Sequence, residues 1–255
     1  MRPSDNIQEI MPSTIHADAF HFDHPVQSYW EASASPLGIA TLPLAGDAQC
    51  DVAIIGGGYT GLAAALRLKT EYGVDVRILE AAAPGWGASG RNGGFACIGC
   101  HKRSYASLIK SYGLEDTRRF YRTMKDAIDL VRDLCGRHGI DAWAHEGGEI
   151  SLAHLPSRWA ELEEERDFMA RIFGEKLNLL TTDELKAQGL WAPTFHGGIH
   201  NGVGFSIHPL NYARGLARAV HGAGVPIHGA SRLLRWEEAG GRHRLTTAGG
   251  TLTAS

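Results

Sequence analysis

The spacing of apolar and polar residues predicts a strand–helix–strand unit that begins near residue 50. The apolar run CDVAII (residues 50–55) stops at a glycine, which is typical of a buried strand. Leucine and alanine at helical spacing predict a helix over residues 60–69, and Gly73 stands where glycine commonly ends a helix. The run VDVRIL (residues 74–79) predicts a second strand. Because a helix joins them, the two strands are expected to be parallel, with a right-handed crossover.

The same patterns predict elements along the rest of the chain. Helices are expected over residues 28–34, 114–135, 157–173 and 209–222, and a capping box of Thr181 and Glu184 opens a short helix through residue 188. The apolar face of the 114–135 helix is expected to consist of Phe120, Met124, Ile128, Val131 and Leu134. Strands are predicted at residues 149–154, 197–207, 225–228, 233–236, 244–247 and 251–254, the last two as a hairpin.

Composition and charge exclude several classes of partner. The chain has 255 residues, 25 basic and 28 acidic side chains, and a formal net charge of −3. That balance lacks the basic patch of a nucleic-acid-binding protein or of a polybasic membrane segment. The sequence has no run of about 18 apolar residues and no secretory signal, and its 4 cysteines do not form a disulfide framework. We therefore expect a cytoplasmic protein that acts on small molecules.

The junction between the first strand and its helix carries the motif GxGxxG at Gly56, Gly58 and Gly61. In a dinucleotide-binding turn these glycines permit the tight turn, the approach of the pyrophosphate and close packing of helix on strand. The helix start then presents unpaired N–H groups to the phosphates. Glu80 ends the second strand, about 20 residues on, where an acid binds the ribose hydroxyls. A carboxylate there disfavours NADP and leaves NAD and FAD open.

The segment after Glu80 distinguishes FAD from NAD as the expected cofactor. It reads AAAPGWGASGRNGGF (residues 81–95). Together, IIGGGYTGLAAALRL, ILEA and GWGASGRNGG resemble the FAD-dependent amino-acid and amine oxidases of the D-amino-acid oxidase (DAO) superfamily, in particular its glycine oxidase and gamma-glutamylputrescine oxidase branches. A fainter match covers residues 208–228, and the resemblance spans residues 28–255. Because members of the family are usually longer, the resemblance also implies an incomplete chain.

The resemblance implies an α/β fold with two domains. A Rossmann-like FAD-binding domain of the glutathione-reductase type would be joined to a second, α+β substrate domain built on an antiparallel sheet. The expected division has a leader over residues 1–49 that packs on the FAD domain, a first part of the FAD domain over 50–144, and a first part of the substrate domain over 145–209. Residues 210–255 would return to the FAD domain, which would be truncated.

The resemblance also implies which residues bind FAD. Ser89 and Asn92 would supply short polar arms, and Arg91 would lie on a phosphate or against a carboxylate, with a surface ion pair as the alternative. Small residues at 90, 93 and 94 would let main-chain N–H groups approach the isoalloxazine ring, and the backbone of Leu233 would hold the adenine. The expected set is Gly56, Gly58, Tyr59, Thr60, Gly61, Glu80, Ala81, Ser89, Arg91, Asn92, Gly93, Gly94 and Leu233.

The reaction implied by the resemblance is oxidation of a C–N bond in an amine or amino acid. FAD would take a hydride from the carbon beside the amine onto its N5 atom, the imine would hydrolyse, and O2 would reoxidise the flavin to give hydrogen peroxide. The alternatives are a dehydrogenase that passes electrons to a quinone or carrier, a non-catalytic fragment, and an NAD-dependent dehydrogenase. The resemblance favours an amine over a free D-amino acid as substrate. No catalytic residue is assigned.

Two further features have competing interpretations. CIGCH (residues 97–101) matches the CxxCH pattern of haem attachment, and its CxxC part matches thioredoxin-like pairs. Haem attachment requires export, a thioredoxin pair requires a different fold, and zinc requires a second ligand pair that the sequence lacks. We therefore expect two small side chains near the flavin and no metal site. Among the histidines, His101 and His208 are best placed for catalysis, but both are interpreted as polar packing residues.

Overall fold

The computed structural model describes residues 20–24, 27–99 and 102–255, so part of the predicted leader, with Cys100 and His101, lies outside the described residues. The described chain forms two compact units. The first unit runs to Gly93 and also includes Leu134–Ala142 and His208–Ser255, and the second consists of Gly94–Asp133 and Trp143–Ile207. The predicted domain division instead placed residues 94–133 with the cofactor domain. Its assignment of functions to segments stays a prediction.

The elements follow one another as an alternation of helices and strands. The helices are α1 Tyr29–Ser33, α2 Tyr59–Tyr72, α3 Tyr105–Tyr112, α4 Leu114–His138, α5 Arg158–Phe173, α6 Thr182–Ala187 and α7 Pro209–Gly222. The strands are β1 Ala48–Cys50, β2 Val52–Ile55, β3 Val76–Leu79, β4 Phe95–Cys97, β5 His145–Glu146, β6 Glu149–Leu152, β7 Asn178–Leu180, β8 Gly198–Asn201, β9 Gly204–Ser206, β10 Ile227–His228, β11 Arg235–Ala239, β12 Arg242–Thr246 and β13 Thr251–Ala254.

The first unit contains a parallel sheet in the order β10-β3-β2. Val52 pairs with Val76 and Ile55 with Leu79, so the predicted parallel strand–helix–strand unit is confirmed. Helix α2 buries Leu62 and Leu66 and ends at Gly73. At that residue φ is +67°, a left-handed conformation that glycine adopts without steric cost.

The prediction of one strand over residues 50–55 was wrong, because the chain changes sheets at Asp51. Strand β1 pairs with β13, whereas β2 pairs with β3. The carboxylate of Asp51 accepts the N–H of Asp75 at 3.0 Å, and its own N–H donates to the Asp75 carbonyl at 3.0 Å. Cys50 thereby packs in an apolar cluster with residues of the second sheet, which has the order β1-β13-β12-β11. Within that sheet the predicted hairpin is confirmed as β12 and β13.

The second unit contains two antiparallel sheets, in the orders β4-β9-β5 and β6-β8-β7. The single strand predicted over residues 197–207 is divided between them as β8 and β9. The side chain of Asn201 accepts the N–H of Val203 at 3.0 Å and so turns the chain. Gly204 then has φ +107°, and a Cβ there would lie 2.6 Å from the carbonyl oxygen of Ala96. The strand prediction was wrong because this turn is set by side-chain hydrogen bonding and by glycine.

Helix α4 confirms the predicted helix but not every residue of its predicted face. Ile128 and Leu134 are buried, whereas Phe120 is 45% exposed. Its neighbour Tyr121 is 2% exposed and stacks on Phe173 of α5 with ring centroids 4.2 Å apart. Within the residues that the structure describes, no helix combines the length and apolar character needed to cross a bilayer.

Replacing Thr181 by alanine is expected to lower the free energy of unfolding by about 1 kcal/mol, the usual cost of losing a helix N-cap. Thr181 accepts the N–H of Glu184, and the Glu184 carboxylate accepts the N–H of Thr181, which completes the predicted capping box of α6. Urea denaturation measures the change. Thr123→Ala, on the exposed surface of α4, is the control and should change stability by less than about 0.5 kcal/mol.

Candidate dinucleotide-binding site

The turn from β2 into α2 depends on glycine at two positions. Gly56 has φ +99°, a conformation that favours glycine, and its N–H donates to the Leu79 carbonyl at 2.8 Å. A Cβ at residue 61 would clash with the carbonyl oxygen of Gly56 and touch the Ile54 side chain at 3.0 Å. Gly56 and Gly61 are thus brought together, as the motif predicts.

The start of α2 presents main-chain N–H groups that its own helix does not satisfy. Gly58 is the N-cap residue and supplies no side-chain cap, while Ser89 Oγ accepts the N–H of Tyr59 at 3.1 Å. A Cβ at residue 58 would lie 2.8 Å from that Oγ. Among the hydrogen bonds of the described chain, none satisfies the N–H of Thr60 or Gly61. These donors and the positive end of the helix dipole favour a phosphate here.

Glu80 ties the glycine turn to the segment that follows β3. Its Oε2 accepts the N–H of Gly57 at 2.6 Å, and its Oε1 accepts the N–H of Ala82 at 2.9 Å, with Ala81 between them. Each oxygen of an ionised carboxylate accepts about two hydrogen bonds, so both retain capacity for ribose hydroxyls. The sequence located this acid, but its two main-chain contacts were not foreseen.

The loop that follows Glu80 folds back on the turn. Gly85 N–H donates to the Gly57 carbonyl at 3.0 Å, and the loop ends in a short 3-10 turn at Ala88–Gly90. The Asn92 amide donates to the carbonyl of Ser89 at 3.0 Å and to the hydroxyl of Tyr59 at 3.3 Å. Burial raises the pKa of Tyr59 to about 12, so its hydroxyl stays protonated. That hydroxyl donates to the carbonyl of Pro209 at the start of α7, 3.0 Å away.

Arg91 makes a contact that the sequence did not predict. Its guanidinium lies over the ring of Trp86, 4.0 Å from the centroid, and desolvation lowers its pKa. The Trp86 indole N–H donates to the carbonyl of His24 at 3.0 Å, and the Phe22 ring lies 5.0 Å away. The sequence signal for this contact was the position of Trp86, an aromatic residue that stands between two glycines. The role of Arg91 toward a phosphate or carboxylate stays a prediction.

The remaining predicted residues are not all brought to this turn. Gly93 ends the first unit, whereas Gly94 begins the second, where its carbonyl accepts the Ile207 N–H at 2.8 Å. Leu233 packs against the apolar cluster around Leu252. The structure therefore places Gly56, Gly58, Tyr59, Thr60, Gly61, Glu80, Ala81, Ser89 and Asn92 around one turn.

The thiol of Cys97 is poorly suited to redox chemistry. Partial burial and, secondly, the charge of Glu149 raise its pKa, which disfavours the reactive thiolate. The second cysteine and the histidine of the CIGCH motif lie outside the described residues, so two small side chains near the flavin stay a prediction. Of the two candidate histidines, His208 is 1% exposed and caps α7.

The second unit contains a cavity of about 930 Å³ between α5, the β6–β8 strands and the chain around Tyr105. Its wall combines the rings of Tyr105 and Phe168 with the carboxylates of Glu149 and Glu165. Partial burial and, secondly, the charge of Glu149 raise the pKa of Glu165. Carboxylates and aromatic rings are both features that attract organic cations.

A comparison with models of protein families shows to which family this chain belongs. Residues 51–254 match the family described as DAO, FAD dependent oxidoreductase. The chain belongs to the DAO family. The predicted resemblance is therefore confirmed, and so is FAD as the cofactor of the family.

Known DAO relatives are similar over much of this chain. Gamma-glutamylputrescine oxidoreductase of Escherichia coli (strain K12) is 36% identical over 171 residues, which are 67% of this chain and 39% of the relative. Probable oxidoreductase OrdL of Rhizobium meliloti (strain 1021) is 32% identical over 232 residues, which are 90% of this chain and 53% of the relative. This DAO chain thus spans about half the length of the curated relatives that it matches.

Solved structures agree on the α/β fold. The crystal structure of glycine oxidase from Geobacillus kaustophilus has a TM-score of 0.64 and 27% identity, and the match covers 81% of this chain and 54% of that one. L-Amino acid deaminase from Proteus myxofaciens has a TM-score of 0.67 at 22% identity, covering 87% and 47%, and bears on the fold alone.

Proposed function

We propose that this DAO chain binds FAD in its first unit and belongs to an oxidoreductase that oxidises a C–N bond of an amine or amino acid. The observation that carries the proposal is the geometry of the β2–α2 turn. There, Glu80 and the free N–H groups of Thr60 and Gly61 lie on either side of the all-glycine main chain of residues 56–58. The fit to FAD is good, because these N–H groups have no partner in the described chain, and a Cβ at Gly58 would crowd the Ser89 Oγ that lies beside them. We also propose that the first unit is Rossmann-like, of the glutathione-reductase type.

Each residue of the turn has a defined role in this proposal. The N–H groups at the start of α2 bind the pyrophosphate, and the remaining lone pairs of Glu80 accept the ribose hydroxyls. Ser89 and Asn92 fix the loop that closes on the turn. When bound, FAD supplies the hydride acceptor, and the protein supplies binding and orientation. Roles for Arg91, Gly93, Gly94 and Leu233 toward the cofactor remain part of the proposal.

The cavity of the second unit supports an amine as the substrate class. Five acidic residues, Glu149 and Glu165 among them, line it against the two arginines Arg103 and Arg171, so the wall is negative on balance, and the rings of Tyr105 and Phe168 suit an alkylammonium group. We propose that the second unit is the first part of the substrate domain, and that O2 accepts the electrons. A quinone or carrier as acceptor is the alternative.

The test is to purify the chain with FAD and challenge it with a panel of amines and amino acids. Flavin that co-elutes in gel filtration, with amine-dependent peroxide, is the expected result. If the protein reduced a dye acceptor and formed no peroxide, it would be a dehydrogenase and not an oxidase. Flavin that separates from the protein would contradict the proposal and leave the non-catalytic alternative. Cytoplasmic location stays a prediction.

A further inference from the structure

We propose that His208 is a positioning residue for the dinucleotide-binding turn, and that its neutral imidazole ties the segment 28–36 to α7. This inference deepens the proposed function and rests on it where FAD is concerned. His208 is 1% exposed and stands at the N-cap of α7. It was interpreted from the sequence as a polar packing residue, and its contacts define a more specific role.

The hydrogen bonds of His208 determine its tautomer. Its Nδ1 accepts the N–H of Asn211 at 3.1 Å, so Nδ1 carries no proton. The ring proton of the neutral form is then on Nε2, which lies 3.1 Å from Ser33 Oγ and donates to it. The Ser33 hydroxyl in turn donates to the carbonyl of Tyr29. The chain of donors and acceptors is consistent only with a neutral imidazole.

Further contacts fasten the same segment to α7. The Ser35 N–H donates to Asn211 Oδ1 at 2.8 Å. Arg214 pairs with Glu31 at 2.5 Å and donates to the Ser35 carbonyl at 2.9 Å. The Trp30 ring lies edge-on to His208 with centroids 4.9 Å apart. His208 is thus one titratable member of a polar clamp that joins α1 to α7.

The opposite face of α7 supports the cofactor turn. The carbonyl of Pro209, the residue after His208, accepts the Tyr59 hydroxyl at 3.0 Å. A Cβ at Gly90 would lie 2.8 Å from the Leu210 side chain, and one at Gly85 would lie 2.8 Å from Ala213. The loop that carries Ser89 therefore rests directly on the first turn of α7. A shift of the start of α7 would therefore move both Tyr59 and the loop that carries Ser89, which lie on the two sides of the proposed dinucleotide site.

Protonation of His208 breaks the clamp at its centre. A proton on Nδ1 would face the Asn211 N–H donor, so the cap would be lost. Burial lowers the pKa of His208 and favours the neutral ring; a backbone hydrogen bond opposes this effect, and the charge of Arg214 adds to it less strongly. Because the folded state binds fewer protons here than the unfolded state, the contribution of the clamp is complete above the ordinary histidine pKa of about 6.5 and is lost progressively below it.

Other charged or titratable groups lie on the elements packed around the ring. They are Tyr29 and Glu31 on α1, Tyr212 and Arg214 on α7, and Asp141 beside Ala142, whose carbonyl accepts the His208 N–H. A pH effect that originates in these groups would persist when residue 208 no longer titrates. The variant His208→Asn makes this distinction, because asparagine is a good N-cap and does not titrate.

The experiment compares wild type, His208→Asn and His208→Ala from pH 8 to pH 5.5. The first readout is hydrogen–deuterium exchange of the peptide spanning residues 28–36, which needs no flavin. The second is the FAD dissociation constant, measured by flavin fluorescence. His221→Asn, at the exposed end of the same helix, is the matched control.

In wild type and His221→Asn, protection of residues 28–36 is expected to fall on the order of tenfold per pH unit below about 6.5, and FAD binding should weaken over the same range. In His208→Asn both quantities should be nearly independent of pH, and in His208→Ala both should be weak throughout. Identical pH profiles in wild type and His208→Asn would overturn the proposal. If no variant binds FAD, the exchange data still decide the clamp, whereas the proposed function fails.

Discussion

Gly61→Ala is expected to destabilise the protein by about 3 kcal/mol or more, although alanine is usually the better helix former. The methyl group would clash with the Gly56 carbonyl and reach the Ile54 side chain, and neither neighbour is free to move without opening the β2–α2 turn. The β2–α2 turn, where we propose that FAD binds, should be distorted by the same change. Urea denaturation and FAD titration of the variant measure both effects.

Gly136→Ala is the matched control for this prediction. Gly136 also lies within a helix, α4, and in the same compact unit, but a Cβ there would meet nothing within 4 Å. The substitution should therefore stabilise the protein by about 0.5 kcal/mol, the normal direction for glycine to alanine in a helix. Equal effects of the two substitutions would contradict the close packing of α2 on the turn.

Glu80→Ala is expected to have the second largest effect, on stability and on cofactor affinity together. The N–H groups of Gly57 and Ala82 would both lose a charged acceptor, at a cost of about 2–4 kcal/mol. The loss of the ribose contacts should raise the FAD dissociation constant on the order of a hundredfold. Thermal unfolding with and without FAD gives both quantities.

Two variants separate the causes. Glu80→Gln keeps one amide oxygen as acceptor, so it should retain more stability than Glu80→Ala while FAD binding still weakens. Glu71→Ala removes an exposed acid that pairs with Arg67 on α2, and should cost less than about 0.5 kcal/mol. Undiminished FAD binding in Glu80→Gln would show that the carboxylate does not contact the ribose.

Local signals predicted the strand–helix–strand unit and the glycine turn between β2 and α2 well. The helix predicted over residues 157–173 is found as α5, and Pro209 opens α7 as expected. These elements follow from the periodic spacing of apolar residues and from helix-capping residues. Both signals involve residues only a few positions apart in the sequence. The glycine spacing and Glu80 were recognisable because the GxGxxG pattern relates residue types at fixed separations, and the structure brings Glu80 to the Gly57 N–H.

The predictions that were wrong concern positions whose structure is determined by residues far away in the sequence. The break at Asp51 depends on Asp75, which no local pattern connects to it. On α4, helical periodicity did not distinguish Phe120 from Tyr121, and the choice is made by stacking on Phe173 from another helix. The contact of Arg91 with Trp86 likewise requires the folded loop.

The most direct test of the account is an amide NMR titration of the 15N-labelled chain with FAD, with ADP as the adenine-side probe. We predict the largest shifts at the N–H groups of Gly58, Thr60 and Gly61 for both ligands, and little change on the β11–β12 hairpin. Binding that leaves these three amides unperturbed, or shifts concentrated elsewhere, would contradict a dinucleotide site at the β2–α2 turn.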